Sequence, residues 1–445
     1  MIRRFFFLLF TFTLLHFNAF AQSQPVAKPL SVEDCIRIAL KNNSQLKIAS
    51  RQLALSDKNH RQAYSNILPT VDMFFQMDKF KRGPSSYIGG EFVGKGALPS
   101  SDGNNYTAQL SISENLLDGG FWWNNIRKAN SDRKAQQMSF FDRFQKTIVT
   151  VKQNYFTLLR EIKLLEVYDQ AVKRSQEQVE RSQSLYEVGS VAKVDVFKSK
   201  VNLGNDQIQY LNQKNVVERA RRDLNLAMGR NPLEPLEIET EIRVDRSLPR
   251  LDSLIALAVK NNPGLKQVKQ QEKSARLQTK LATSQYWPRI SAFFNYSRRA
   301  PQFRALYTDL GNEFTWTAGV RLNWNLFRGF SDFINRQKAQ INERIAQENF
   351  VEFQRNLIST TKNLYDNLRA LEQIIEINKT NLESAREEYR LAQERYRVGS
   401  GTSLELREAQ VNLTRAEQVL VSAEYNSMIT HSQLQETIGM YLTQY

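Results

Sequence analysis

Between residues 314 and 326 apolar and polar positions alternate without a break. Phe314, Trp316, Ala318, Val320, Leu322, Trp324 and Leu326 fall on one parity, and Thr315, Thr317, Gly319, Arg321, Asn323 and Asn325 on the other. Successive strand side chains point to opposite faces, so this predicts a strand with one apolar and one polar face. Tyr106, Ala108, Leu110 and Ile112, set against Gln109, Ser111 and Ser113, predict a second strand over about 106–117. Weaker alternations precede them, over about 70–79 (Val71, Met73, Phe75, Met77) and 289–297 (Ile290, Ala292, Phe294, Tyr296). Polar loops over about 81–104 and 298–313 separate the members of each pair.

From about 121 to 188 the apolar spacing changes to threes and fours, through Phe141, Phe144, Ile148, Val151, Tyr155, Leu158, Ile162 and Leu165. It settles into sevens at Val172, Val179 and Tyr186, and again at Ile375, Leu382, Tyr389 and Tyr396. Sustained heptads predict long helices packed as in a coiled coil. A helix of about 68 residues, rising ~1.5 Å per residue, reaches roughly 100 Å, several bilayer thicknesses, so it has to project into water. Glycines in Val188-Gly189-Ser190 and Val398-Gly399-Ser400 predict left-handed caps, and the chain returns over about 192–228 and 402–438. Helical stretches over 32–66 and 251–285 open the two halves.

The chain is written twice. Leu40-Lys41-Asn42-Asn43, Pro69 and Phe74-Phe75 recur as Val259-Lys260-Asn261-Asn262, Pro288 and Phe293-Phe294, offset by 219. Asn115-Leu116-Leu117-Asp118-Gly119, Tyr186-Glu187-Val188-Gly189-Ser190 and Met228-Gly229 recur as Asn325-Leu326-Phe327-Arg328-Gly329, Tyr396-Arg397-Val398-Gly399-Ser400 and Ile438-Gly439, offset by 210. The change of offset places a loop nine residues shorter in the second copy. The domain reading is one repeat over 22–250, with its strands and a hairpin over about 121–228. A second repeat covers 251–445, with a hairpin over about 328–438.

Strands of about ten residues with one apolar face suit a membrane barrel wall. All five tryptophans, Trp122, Trp123, Trp287, Trp316 and Trp324, fall at these segments, as amphipathic rings do at bilayer interfaces. A soluble sheet covering a core is the alternative. Four strands do not close a barrel, since about eight is the smallest number, and lipid does not tolerate an open sheet edge. Membrane strands of this kind therefore require several chains to share one barrel.

Composition narrows the rest. Arg3 and Arg4, an apolar run from Phe5 to Phe17, and Ala19-Phe20-Ala21 describe a cleavable export signal over 1–21. The 445 residues hold 61 Lys+Arg against 46 Asp+Glu, a formal charge of +15, which by itself would point to nucleic acid. Export and the alternation of charge sign along the helices argue against that partner. With one cysteine, Cys35, and three histidines, neither an internal disulfide nor a Cys/His zinc site can be assembled. No phosphate loop and no nucleophile–base constellation is present, so neither an enzyme nor a cofactor is expected.

The two-fold repeat, the Pro-bounded strand pairs, and the tips Tyr186-Glu187-Val188-Gly189-Ser190-Val191-Ala192-Lys193-Val194-Asp195 and Tyr396-Arg397-Val398-Gly399-Ser400-Gly401-Thr402-Ser403-Leu404-Glu405 resemble the TolC-like outer-membrane factor family. Met228-Gly229-Arg230-Asn231-Pro232-Leu233 resembles that family's exit from its first repeat. The resemblance implies a mainly α fold with membrane β: a homotrimer with a twelve-stranded β-barrel in the outer membrane, continued by a periplasmic α-helical barrel. It implies a passive exit duct that works with a periplasmic adaptor and an inner-membrane transporter, or alternatively the exit duct of type I protein secretion. A secreted coiled-coil scaffold without a pore is the reading from another class.

By position, adaptor contact would fall to Val188, Gly189, Ser190, Val398, Gly399 and Ser400. A periplasmic gate would involve Asp195, Tyr396, Glu405 and Glu408, the two glutamates forming rings of like charge in a trimer. An arginine of the best-known member is replaced by Gly401, which implies a weaker or a differently built closure. Basic residues flanking the outer loops, Lys79, Lys81 and Arg82 with Arg298, Arg299 and Arg304, are candidates for lipopolysaccharide phosphates.

Overall fold

A computed structural model describes residues 29–88, 90–95, 99–240, 249–308 and 310–442; the expected leader over 1–21 lies outside them. In chain order the elements are α1 (Val32–Asn42), α2 (Ser44–Gln62), β1 (Thr70–Arg82), β2 (Tyr87–Ile88), β3 (Glu91–Phe92), β4 (Ser101–Leu117), α3 (Phe121–Glu187) and α4 (Lys193–Met228). The second half follows with α5 (Leu251–Asn261), α6 (Pro263–Thr283), β5 (Arg289–Ala300), β6 (Phe314–Asn323), α7 (Ser331–Arg397) and α8 (Ser403–Thr437).

The stretches expected as single helices over 32–66 and 251–285 are each two helices with a joint, trailed by a short 3-10 turn. The joint is an asparagine whose side chain competes for backbone hydrogen bonds. Asn43 and Asn262 cap the following helix, accepting from the Leu46 and Leu265 N–H groups at 3.1 and 3.0 Å. Their amides donate to the carbonyls of Ala227 and Thr437, at the far ends of α4 and α8. One short side chain thus ties the start of each half to the end of its returning helix.

The strands form one antiparallel sheet in the order β1-β4-β5-β6. Its register carries the alternation across all four: Val71, Ile112, Phe294 and Ala318 make one cross-strand row, and Met73, Leu110, Tyr296 and Trp316 the next. The opposite face carries Asp72, Ser111, Asn295 and Thr317, then Phe74, Gln109, Ser297 and Thr315. All four strands differ from the sequence reading at one end, β5 by running on to Ala300 rather than 297. β1 and β4 run on to Arg82 and back to Ser101, and the loop between them holds the small β2–β3 hairpin. β6 stops at Asn323 rather than 326, because its partner β5 begins at Arg289, opposite Asn323. Trp324 and Leu326 therefore lie beyond the strand, while Trp122 and Trp123 stand in the first turn of α3.

Arg298 is not a rim residue. It is 5% exposed, and its guanidinium donates to the carbonyls of Ala305, Thr308 and Asn312, holding the β5–β6 loop over the sheet. Phe303 of that loop meets Phe75 and Tyr106 edge-on, on the apolar face.

α3 and α7 have 67 residues each and start 210 positions apart. α3 packs against α2, α4, α6 and α8, so it is the inner stave of the chain, with α4 directly beside it and α7 set one helix away, against α6 and α8. The main core lies midway along the staves, where Cys35, Ile36, Ile148, Tyr155, Leu158, Leu224 and Tyr441 are fully buried. The Tyr155 hydroxyl donates to the carbonyls of Leu30 and Glu239, which belong to the segments joined by a parallel bridge between Leu30 and Ile238. Burial pushes the Cys35 thiol up to about 12, so it is a packing group and not a reactive one.

Glu436, near the end of α8, has its pKa raised to about 7 by burial, against the pull of Lys146 and with the push of Asp142. The folded protein therefore holds a proton there that the unfolded chain releases above about 4.5, so this group's contribution to stability falls as pH rises from 4.5 to 7. Glu436→Gln should stabilise the protein at pH 8 by roughly 1–2 kcal/mol and leave it unchanged at pH 4, read by thermal melting in detergent. An identical pH slope for both proteins would refute this.

Candidate functional site

At the ends of the hairpins farthest from the sheet, both tips are built alike. Ser190 N–H donates to the Leu185 carbonyl and Gly189 N–H to Tyr186; Ser400 donates to Arg395 and Gly399 to Tyr396. These paired bonds satisfy the last carbonyls of each helix and need a left-handed residue, supplied by Gly189 (φ 73°) and Gly399 (φ 74°). Val188 and Val398 are 73% and 67% exposed, and Gly189, Ser190, Gly399 and Ser400 are exposed beside them. Thr402 caps α8 by accepting from the Glu405 N–H.

Behind the tips, side chains tie the first hairpin to the second. Asp195 accepts from the Ser403 hydroxyl at 3.0 Å. Tyr396 is 5% exposed, and its hydroxyl has no hydrogen-bond partner among the described residues. Glu405 pairs with Arg395 of its own hairpin at 3.5 Å, and both are largely exposed. Glu408 is exposed one turn further on.

The strongest tie is one that the sequence did not single out. Arg407 of α8 reaches Asp206 of α4 with both terminal nitrogens, at 2.7 and 3.0 Å, and the Ser175 hydroxyl of α3 at 3.3 Å. Ser175 in turn donates to Asp206. The ion pair is mostly shielded, at 23% and 15% side-chain exposure. Higher up, Arg174 of α3 donates to Glu417 and Thr414 of α8. The partners joined between the two hairpins stand 201 to 243 residues apart with no local motif, so spacing carries no signal for them. A groove of about 440 Å³ opens at the same level, lined by Val194, Phe197, Val201, Leu404, Lys198 and Arg407 among others.

At the opposite end, aromatic rings gather where sheet meets helix. Trp122 and Trp123 meet edge-on, the Cβ of Trp287 closes over Gly119, and the Trp324 Nε1–H donates to the Tyr286 carbonyl. Trp316 sits within β6, stacked on Phe294. A second group, Phe75, Tyr106, Phe303, Tyr307, Tyr296 and Phe314, lies toward the other edge of the apolar face. Among the described residues no helix is long and apolar enough to cross a membrane.

The geometry has close counterparts. The chain covers 92% of itself on the Campylobacter jejuni CmeC outer membrane channel, and 85% of that chain, at 17% identity and a TM-score of 0.80. It likewise covers 92% of itself and 96% of the Vibrio cholerae outer membrane protein VceC, at 16% identity and 0.79. On the open state of the Neisseria gonorrhoeae MtrE outer membrane channel the figures are 92%, 88%, 17% and 0.77. Identities this low establish the fold. No curated protein matches the chain by sequence. The family model described as outer membrane efflux protein matches residues 35–230 and 254–440, nearly all of both halves, and the chain therefore belongs to the outer membrane efflux protein family.

Proposed function

We propose that this protein is the outer-membrane exit duct of a tripartite efflux system, conducting substrates passively from a periplasmic adaptor and an inner-membrane pump to the exterior. The sheet is the observation that carries the reading. Its apolar face is continuous across four strands, and its outer strands, β1 and β6, have no neighbour on their far sides among the described residues. Lipid on the apolar face forbids such edges, so β6 of one copy pairs with β1 of the next, and three copies close twelve strands. The helices need the same neighbours: Val194, Phe197, Val201, Ile208 and Leu211 form an exposed heptad stripe along α4, with Ile334, Ile341 and Ile345 exposed on α7.

Each copy comprises two repeats, 22–250 and 251–445, after a leader over 1–21, and its helices extend the duct into the periplasm. Trp287 and Trp324, with Trp122 and Trp123, sit at the inner bilayer interface, and Trp316 faces lipid between the interfaces. From Trp324 to Phe314 is ten residues, ~33 Å along a strand and roughly 25 Å along the membrane normal at a tilt of about 40°, the height of a lipid-facing band. Lys79 and Lys81 continue the outward face of β1 past Met77, where lipopolysaccharide phosphates lie.

The periplasmic gate is the set of ties between hairpins: Arg407–Asp206 and Asp195–Ser403, with Tyr396 buried beneath and Glu405 and Glu408 facing the entrance. The adaptor meets Val188, Gly189 and Ser190 of one tip and Val398, Gly399 and Ser400 of the other. Purified protein should form a trimer in detergent and ohmic channels in planar bilayers; a monomer soluble without detergent would overturn the reading. Gly189→Trp with Gly399→Trp should keep trimer and conductance and abolish crosslinking to the adaptor, since nothing lies within 4 Å of either Cβ position. Retained crosslinking would remove the tip assignment.

A further inference from the structure

The polar face of the sheet, which lines the barrel, has an aromatic exception near its helix-proximal end. Phe293 of β5 lies on this face, between Ser113 of β4 and Gly319 of β6. A Cβ at Gly319 would come within 3.0 Å of the Phe293 ring, so the glycine leaves room for the ring to lie flat across β6. The Arg321 guanidinium sits 5.0 Å from the centre of that ring. It is exposed and forms no ion pair with a carboxylate among the described residues. One row nearer the helices, Arg289 stands 5.9 Å from the Phe121 ring and donates to Gln285 at 2.8 Å.

We infer that Phe293, Arg321 and Arg289 form a binding collar for aromatic organic anions at the inner mouth of the barrel lumen. The inference rests on the pore reading above, which places three copies of this group around one axis. A planar ring bearing a carboxylate or sulfonate stacks on Phe293 while its anionic group takes the two parallel N–H donors of Arg321. The carboxylates of the polar face are Asp72 and Asp78, both on β1; Asp78 lies toward the outer end and accepts from Gln76. Arg82 and Arg299 add to the basic side of the same face, so the lumen favours anions in transit. The collar gives part of the basic surplus of the chain a use.

The test is block of single-channel current in planar bilayers by 1-naphthalenesulfonate, with methanesulfonate and 1-naphthalenemethylammonium as controls. The aromatic sulfonate should block the native trimer, and the two controls should not. Arg321→Gln and Phe293→Ser should each raise the half-blocking concentration at least tenfold, with block expressed as a fraction of each variant's own open-channel current in KCl. Arg321 is exposed, so its variant decides the matter should Phe293→Ser fail to assemble. Block of equal strength in native and Arg321→Gln channels, or by the aromatic cation, would overturn the collar while leaving the pore intact. Absence of any conductance would overturn the pore reading and the collar with it.

Discussion

Replacing Arg407 or Asp206 with alanine should raise the resting conductance of the reconstituted channel by an order of magnitude. The pair is bidentate, at 2.7 and 3.0 Å, and bridges α8 to α4 across the Ser175 hydroxyl of α3. Exposed ion pairs contribute about 0–1 kcal/mol, whereas breaking a buried one costs about 3–5, because the remaining charge is left without a partner. Side-chain exposures of 23% and 15% place this pair between those limits, at roughly 2 kcal/mol. If only the closed arrangement holds the pair, that difference multiplies the open population about thirtyfold. Arg407→Ala combined with Asp206→Ala should add little to either single change, since one interaction is being removed twice. Glu405→Ala with Glu408→Ala should act more weakly, because Glu405 is already engaged by Arg395 in solvent. Unchanged conductance in both single variants would exclude the pair from the gate.

The second large effect concerns folding. Gly229→Ala with Gly439→Ala should prevent assembly of the trimer, whereas Gly189→Ala with Gly399→Ala should not. All four glycines have φ between 72° and 74°, so each substitution pays the same left-handed penalty, about 1–2 kcal/mol. Their surroundings differ. A Cβ at Gly229 would lie 2.8 Å from the carbonyl carbon and oxygen of Asn42, and one at Gly439 would lie 2.9 to 3.0 Å from Asn261. Those atoms belong to the rigid α1–α2 and α5–α6 joints, so relief means moving the joint and losing the Asn43 and Asn262 bonds to α4 and α8. The tip glycines have nothing within 4 Å. Melting temperature and native electrophoresis in detergent report the difference. Equal losses for the two pairs would show that backbone strain alone governs these positions.

These joints show what the chain's own pattern conveys and what it leaves out. The recurrence of Asn42-Asn43 with Asn261-Asn262, and of Gly229 with Gly439, is visible along the sequence as two unrelated repeats. Only in space does each asparagine meet the helix end that its glycine terminates. Arg298 makes the same point in the opposite sense. Its place beside a polar loop makes it a candidate for outer phosphates, yet carbonyls of Ala305, Thr308 and Asn312 converge on it and bury it. At the tips, the glycine caps were legible because a left-handed residue after a helix is a local requirement. The Arg407–Asp206–Ser175 tie was not, because each member is an ordinary polar residue in a heptad.

The sequence by itself determined which face of each strand and helix is apolar and where the long helices turn, and the recurrence of its motifs showed that the chain is duplicated. Side-chain direction repeats every two residues in a strand and every three or four in a helix, so composition along the chain fixes those faces before any packing occurs. Only the tertiary structure decided which faces meet: the order β1-β4-β5-β6 with its two open edges, the asparagine joints, and the charge tie behind the tips. The asparagine joints and the charge tie close loops of 175 to 232 residues, and no local preference encodes the partner at that distance.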